Sequence, residues 1–120
     1  MKKSLLTLVS LLVALALVAQ SPSEHDMFVY NRRLIKQGHS YLPKNGYVPD
    51  KDTAVAIAYA VAVPIYGKKE MDGEKPFQAE LEDGIWTIQG TFHCDSCAGG
   101  TLVMQISKAS GKILFLTHTK

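Results

Sequence analysis

His93-Cys94-Asp95-Ser96-Cys97 is the one segment of the 120-residue chain where nucleophilic and metal-ligating side chains crowd together. A Cys-x-x-Cys spacing serves three chemistries. In an exported protein with an even cysteine count the leading expectation is a disulfide between Cys94 and Cys97. The ring so closed is short, and loop entropy gives it only ~2 kcal/mol, enough to stiffen a loop rather than to hold a fold. Thiol redox catalysis is the second reading. It requires a helix N-terminus or a cation beside the thiol to stabilise the thiolate. Here Ala98-Gly99-Gly100 leads straight toward a strand instead. Zinc is the third, but Cys94, Cys97 and His93 supply at most three of four ligands, leaving His25, His39, His118 or a second chain to complete the set.

Other catalytic inventories are missing. The sequence has no Gly-x-Ser-x-Gly elbow, no His-Glu-x-x-His helix, no phosphate-binding glycine loop and no EF-hand run. Its four histidines, His25, His39, His93 and His118, are scattered among polar neighbours, where an imidazole is ordinarily solvated. Glu80 and Glu82 share a strand face like a paired-carboxylate site, yet acids beside a hairpin turn usually just face water. Gly99-Gly100 fits either a close backbone approach or a bulge. The expectation is a protein that is not an enzyme, with no cofactor and no metal.

The elements that position these residues follow from periodicity. Residues 24–36, with Phe28, Val29, Leu34 and Ile35 behind acidic Glu24 and Asp26, suit a short helix, and 37–49 reads as a loop. Asp50 can cap a first helical turn, with Asp52 at the positive end of the dipole. The alanine-rich run TAVAIAYAVAV then continues as helix until Pro64 and Gly67 stop it. Val55, Ile57, Tyr59, Val61 and Val63 alternate as a strand would, but five alanines and the length of the run favour helix. No charge occurs from Thr53 to Gly67, so this helix should be covered on more than one side, centrally in the domain or at a contact with another chain.

From Lys75 the period is two. Phe77, Ala79 and Leu81 oppose Gln78, Glu80 and Glu82, and Asp83-Gly84 supplies a tight hairpin. Trp86, Ile88 and Phe92 make a second dry stripe, and Leu102, Met104 and Ile106 a third. Lys108-Ala109-Ser110-Gly111 turns the chain into a fourth strand, KILFLTH. The fold class is α+β: a central helix packed on a four-stranded antiparallel meander.

Met1-Lys2-Lys3 followed by an uncharged, Leu-rich run over residues 5–19 has the form of a secretory signal peptide, too short to span a membrane. Cleavage is expected between residues 17 and 22, giving a leader over 1–20, an N-terminal segment over 21–45 and a domain over 46–120. Losing Lys2 and Lys3 leaves 11 basic and 11 acidic side chains, a net charge of zero. That balance gives no electrostatic footprint for nucleic acid, and no membrane association is expected after cleavage.

Tyr47-Val48-Pro49-Asp50, Thr53-Ala54, Ile57-Ala58, Pro64-Ile65-Tyr66-Gly67, Lys75-Pro76-Phe77, Asp83-Gly84 with Trp86, Gly90-Thr91, Gly99-Gly100, Ile106-Ser107-Lys108 and Gly111-Lys112-Ile113-Leu114 follow one another in a recognisable order. Over 46–120 this resembles the NTF2-fold immunity proteins of bacterial polymorphic toxin systems. The resemblance implies an NTF2-like, cystatin-like fold and a non-enzymatic antidote that binds and blocks a cognate secreted toxin. Two features depart from it: the Cys-x-x-Cys segment stands where relatives have a variable loop, and the leader implies a periplasmic location. The helix followed by hairpins ending in Ile-Ser-Lys-Ala-Ser-Gly-Lys-Ile-Leu also looks like the PepSY type, which would imply an exported inhibitory module acting on a protease or sensor. The candidate partner contacts are the acidic tip, Glu80, Glu82 and Asp83, and the loop residues His93 and Asp95.

Overall fold

The computed structural model describes residues 20–38 and 40–119. The signal-peptide reading over residues 1–19 and His39 lie outside the described residues. The chain divides into two compact units, residues 1–40 and 41–120.

In the first unit, α1 spans Glu24–Lys36. Ser23 starts it with a capping box. Its hydroxyl accepts from the Asp26 N–H, and the Asp26 carboxylate accepts from the Ser23 N–H at 3.2 Å. Glu24 and Asp26 in the first turn and Arg33 and Lys36 in the last complement the helix dipole. The short helix expected over 24–36 is present; Phe28, Leu34 and Ile35 of its apolar cluster are exposed, and no residue of α1 is buried.

The second unit begins with α2, Lys51–Tyr66. The Asp50 carboxylate accepts from the Thr53 N–H at 2.8 Å and so supplies the cap that its position promised. Thr53 is the first cause of the lowered Asp50 pKa, because a carboxylate holding a backbone N–H prefers to stay ionised. The helix does not stop at Pro64 but passes through it to Tyr66. Proline this close to the end removes only the last-turn bond its own N–H would have made, a smaller loss than mid-helix. Termination falls to Gly67 at φ 95°, a conformation open to glycine, whose N–H still reaches the Val63 carbonyl at 2.8 Å. A short helix that sequence periodicity did not announce, α3, follows over Lys68–Gly73.

Four strands complete the unit: β1 Gln78–Glu82, β2 Ile85–Gln89, β3 Leu102–Ser107 and β4 Ile113–His118. They form one antiparallel meander in the order β1-β2-β3-β4. Asp83 and Gly84, both at positive φ, make the first hairpin turn. Across the sheet Ala79, Ile88, Met104 and Leu116 form one row on the helix side, while Glu80, Thr87, Gln105 and Phe115 form the row on the other side.

The α2 face turned to the sheet is a stripe of small residues, Ala54, Ala58 and Ala62, all fully buried with Ile88, Leu102, Met104 and Ile106. Alanine at every fourth position lets the helix axis approach the sheet closely. Among the described residues the sheet covers one face of the helix, which corrects the central placement and leaves the contact with another chain as the other reading. Val55, Ile57, Tyr59, Val61 and Val63 are half-buried flanks, and Ala56, Ala60, Pro64 and Ile65 are exposed. Two residues assigned to the dry stripes also differ: Leu81, at the outer strand beside the turn, and Phe92, past the end of β2, are each 44% exposed. Trp86 ties the entrance segment down, its indole N–H donating to the Val48 carbonyl at 2.9 Å.

Candidate functional site

The conspicuous sequence features land at opposite ends of β2. Glu80, Glu82 and Asp83 are exposed around the β1–β2 turn, and the segment 90–101 leaves the other end of the strand. Five strand residues at about 3.3 Å each put roughly 16 Å between the two ends. The acidic tip and the loop bearing His93 and Asp95 are therefore two patches, not one.

Within the loop, Cys94 and Cys97 are joined by a disulfide with their Cα atoms 5.6 Å apart. In this bonded state neither sulfur is a thiolate or an available metal ligand. The His93 Nε2–H donates to the Lys75 carbonyl at 2.6 Å, which fastens the loop to the segment before β1. Asp95 is exposed. Phe92 lies over Gly99, where an added Cβ would come within 3.0 Å of its ring.

A second polar cluster surrounds Asp72 at the end of α3. Its carboxylate pairs with Lys68, accepts from the Tyr59 hydroxyl at 2.6 Å and meets Lys75 Nζ at 2.8 Å. Lys68 foremost, then Lys75 and Tyr59, hold the Asp72 carboxyl far below the usual carboxylate range, and the two lysines are shifted upward in return. Lys75 also lies 4.4 Å from the Tyr59 ring centroid. Beside this network runs an open, mostly apolar groove of about 640 Å³ lined by Asp52, Val55, Ala56, Tyr59, Lys75 and Phe77.

The most enclosed polar chemistry lies at a third place, where α3, the 90–101 segment and the end of β4 meet. Glu74 is the buried charged side chain among the described residues, 5% exposed. Its Oε2 accepts from the Leu102 N–H at 2.8 Å, and its Oε1 lies 2.6 Å from His118 Nε2. Its own carbonyl accepts from Thr91 N–H at 2.8 Å. Gly90 makes the space, because a Cβ there would fall 2.2 Å from Oε2. Tyr66 packs beside the imidazole, ring centroids 5.3 Å apart, and the Glu70 carboxylate stands 3.9 Å from the same Nε2. Gly100 serves a similar purpose for the chain end: a Cβ would meet Thr119, whose N–H donates to Thr101 O at 2.9 Å. The two glycines of the loop are thus explained by close backbone and side-chain approaches.

Sequence reasoning passed over Glu74 and treated His118 as a solvated histidine. His118 is half-buried and paired. The two are 44 positions apart, so no local spacing joins them; the only local hint was Gly90, a small residue at the end of a strand that otherwise alternates.

This arrangement belongs to a stretch with relatives. The family described as NTF2 fold immunity protein matches residues 53–120, from the first turn of α2 through β4. The chain belongs to that family. The immunity-protein helix-on-sheet unit accounts for the whole second unit apart from its entrance segment. The "Uncharacterized protein YhhH" of Escherichia coli strain K12 is 33% identical over 73 residues, covering 61% of this chain. The matched stretch spans 58% of that relative's length. No solved structure matches the chain.

Proposed function

We propose that this immunity-family protein is exported and neutralises a cognate bacterial toxin by binding it stoichiometrically, without turnover. The family match across α2 and all four strands carries the reading. Several features of the molecule support it. The outer face of the sheet carries a mixed row of exposed Glu80 and Phe115 with half-buried Thr87 and Gln105 between them. A stable protein–protein interface takes about 800 Å² from each partner, typically 20–30 residues, so the three acids need neighbouring surface to make one. Glu80, Glu82 and Asp83 together with the sheet face they border make the preferred toxin-facing surface, and His93 and Asp95 belong to a separate contact. Acid side chains at its rim would steer a basic toxin and set the association rate more than the final affinity. The Leu-rich leader and the disulfide agree with a periplasmic site of action, where only a toxin acting in or crossing the envelope would be met.

The test is co-expression with the toxin encoded by the neighbouring gene, directed to the periplasm. Survival is expected only when this protein is present with its leader. Glu80→Lys combined with Glu82→Lys is expected to slow association with the purified toxin; if that variant and an Asp95→Lys variant both bind like wild type, the placement of the surface is wrong.

A further inference from the structure

His118 faces acceptors at both ring nitrogens. Nδ1 is 3.0 Å from the Thr119 carbonyl oxygen, and Nε2 is 2.6 Å from Glu74 Oε1. A carbonyl and an ionised carboxylate can only accept, whereas a neutral imidazole carries a single N–H. The 2.6 Å Nε2–Oε1 contact brings a nitrogen and a carboxylate oxygen together at a point that a proton or a cation can occupy. Glu70 adds another carboxylate 3.9 Å from the same nitrogen. The ligand atoms of Glu70, Glu74 and His118 all lie within 4.8 Å of one another.

We propose that this corner is a divalent-cation site of the zinc type, with His118 Nε2 and one carboxylate oxygen each from Glu74 and Glu70 as ligands. Imidazole nitrogen and carboxylate oxygen bind Zn²⁺ at about 2.0–2.2 Å, which sets neighbouring tetrahedral ligands about 3.4 Å apart. The Glu74–His118 pair has to open by under about 1 Å, and Glu70 to close by about 0.5 Å on Nε2 and by up to about 1.4 Å on the Glu74 oxygen. Glu70 has the freedom to do so, its side chain being 60% exposed. The rest of the corner is already braced. Leu102 N–H fixes the second oxygen of Glu74, and the Thr119 carbonyl holds the Nδ1–H tautomer, the outer support that metal-bound histidines ordinarily have. Binding places the ion where the Nε2–Glu74 hydrogen bond now runs, with no change of oxidation state. The fourth position faces an open groove of about 510 Å³ bordered by Phe92, Gly99 and Thr119, where water or a partner's side chain completes the set.

The site stands independently of the toxin-binding reading and is tested without a toxin. The purified protein, stripped with chelator, is titrated with Zn²⁺ by calorimetry in buffers of different ionisation enthalpy. One ion per chain is expected to bind. Glu70→Gln, at an exposed position, should weaken binding at least about tenfold while leaving the melting midpoint of the metal-free protein unchanged. His118→Asn should abolish it. No saturable Zn²⁺ binding below about 100 μM, or equal affinity in wild type and Glu70→Gln, overturns the proposal, as does retained binding in His118→Asn.

Discussion

Asp72 and Glu74 are acids two positions apart, and the fold treats them in opposite ways. Asp72 stays at the surface among Lys68, Lys75 and Tyr59, three partners that all come from nearby chain. Glu74 turns inward to the start of β3 and the end of β4, joining segments that are 28 and 44 positions away. The difference teaches that charge count is a poor guide to structural weight. The surface network has more partners but is hydrated and screened, while the buried carboxylate has few and depends on every one of them.

Removing the buried acid should do the most damage. Glu74→Ala strips Leu102 N–H of its acceptor and takes from His118 Nε2 its hydrogen-bonded carboxylate, for an expected loss of about 3–5 kcal/mol in denaturant unfolding; Glu74→Gln, which keeps the shape and an acceptor, should recover a good part of it. Next comes the space that admits the carboxylate. Gly90→Ala places a methyl group against Glu74, and overpacking of this kind should cost about 1–3 kcal/mol, read as a lower melting midpoint. If Gly90→Ala proves neutral, the corner is looser than its distances say.

The disulfide loop provides an intermediate case. Replacing Cys94 and Cys97 by serine should lower stability by about 2 kcal/mol or less by chain entropy, with the sheet itself intact by circular dichroism. The smallest effect belongs to Asp72. Its carboxyl is depressed from 3.8, so its contribution is present above that value and fades as pH falls toward the much lower folded value. Asp72→Asn should therefore lower stability slightly at neutral pH, with the difference from wild type fading below about pH 4 as the wild-type carboxyl takes up its proton, and high salt should shrink the difference further.

Much of the architecture was legible because its causes are local. Asp50 marks the start of α2, Asp83-Gly84 the first hairpin, and the alternation of Leu102, Met104 and Ile106 the dry face of β3, each from a few adjacent residues. The passage of α2 through Pro64 was not, because proline reads as a stop wherever it sits and only the position of Gly67 decides where the last turn closes. The short α3 carries too few residues to establish a period. Leu81 and Phe92 obey the alternation rule yet lie past the reach of the helix that would cover them. Glu74 and His118 were illegible for a different reason: their pairing is made by sheet closure, and nothing near either residue refers to the other.

Stoichiometry is the sharpest test of the account. Increasing amounts of the purified protein are added to a fixed amount of its cognate toxin, and residual toxin activity is read after short and long incubation. The account predicts a linear fall to an end point at a fixed molar ratio, independent of time. Continued loss of toxin activity at a small fraction of one equivalent would mean turnover, and no inhibition at several equivalents would mean no complex; either would contradict it.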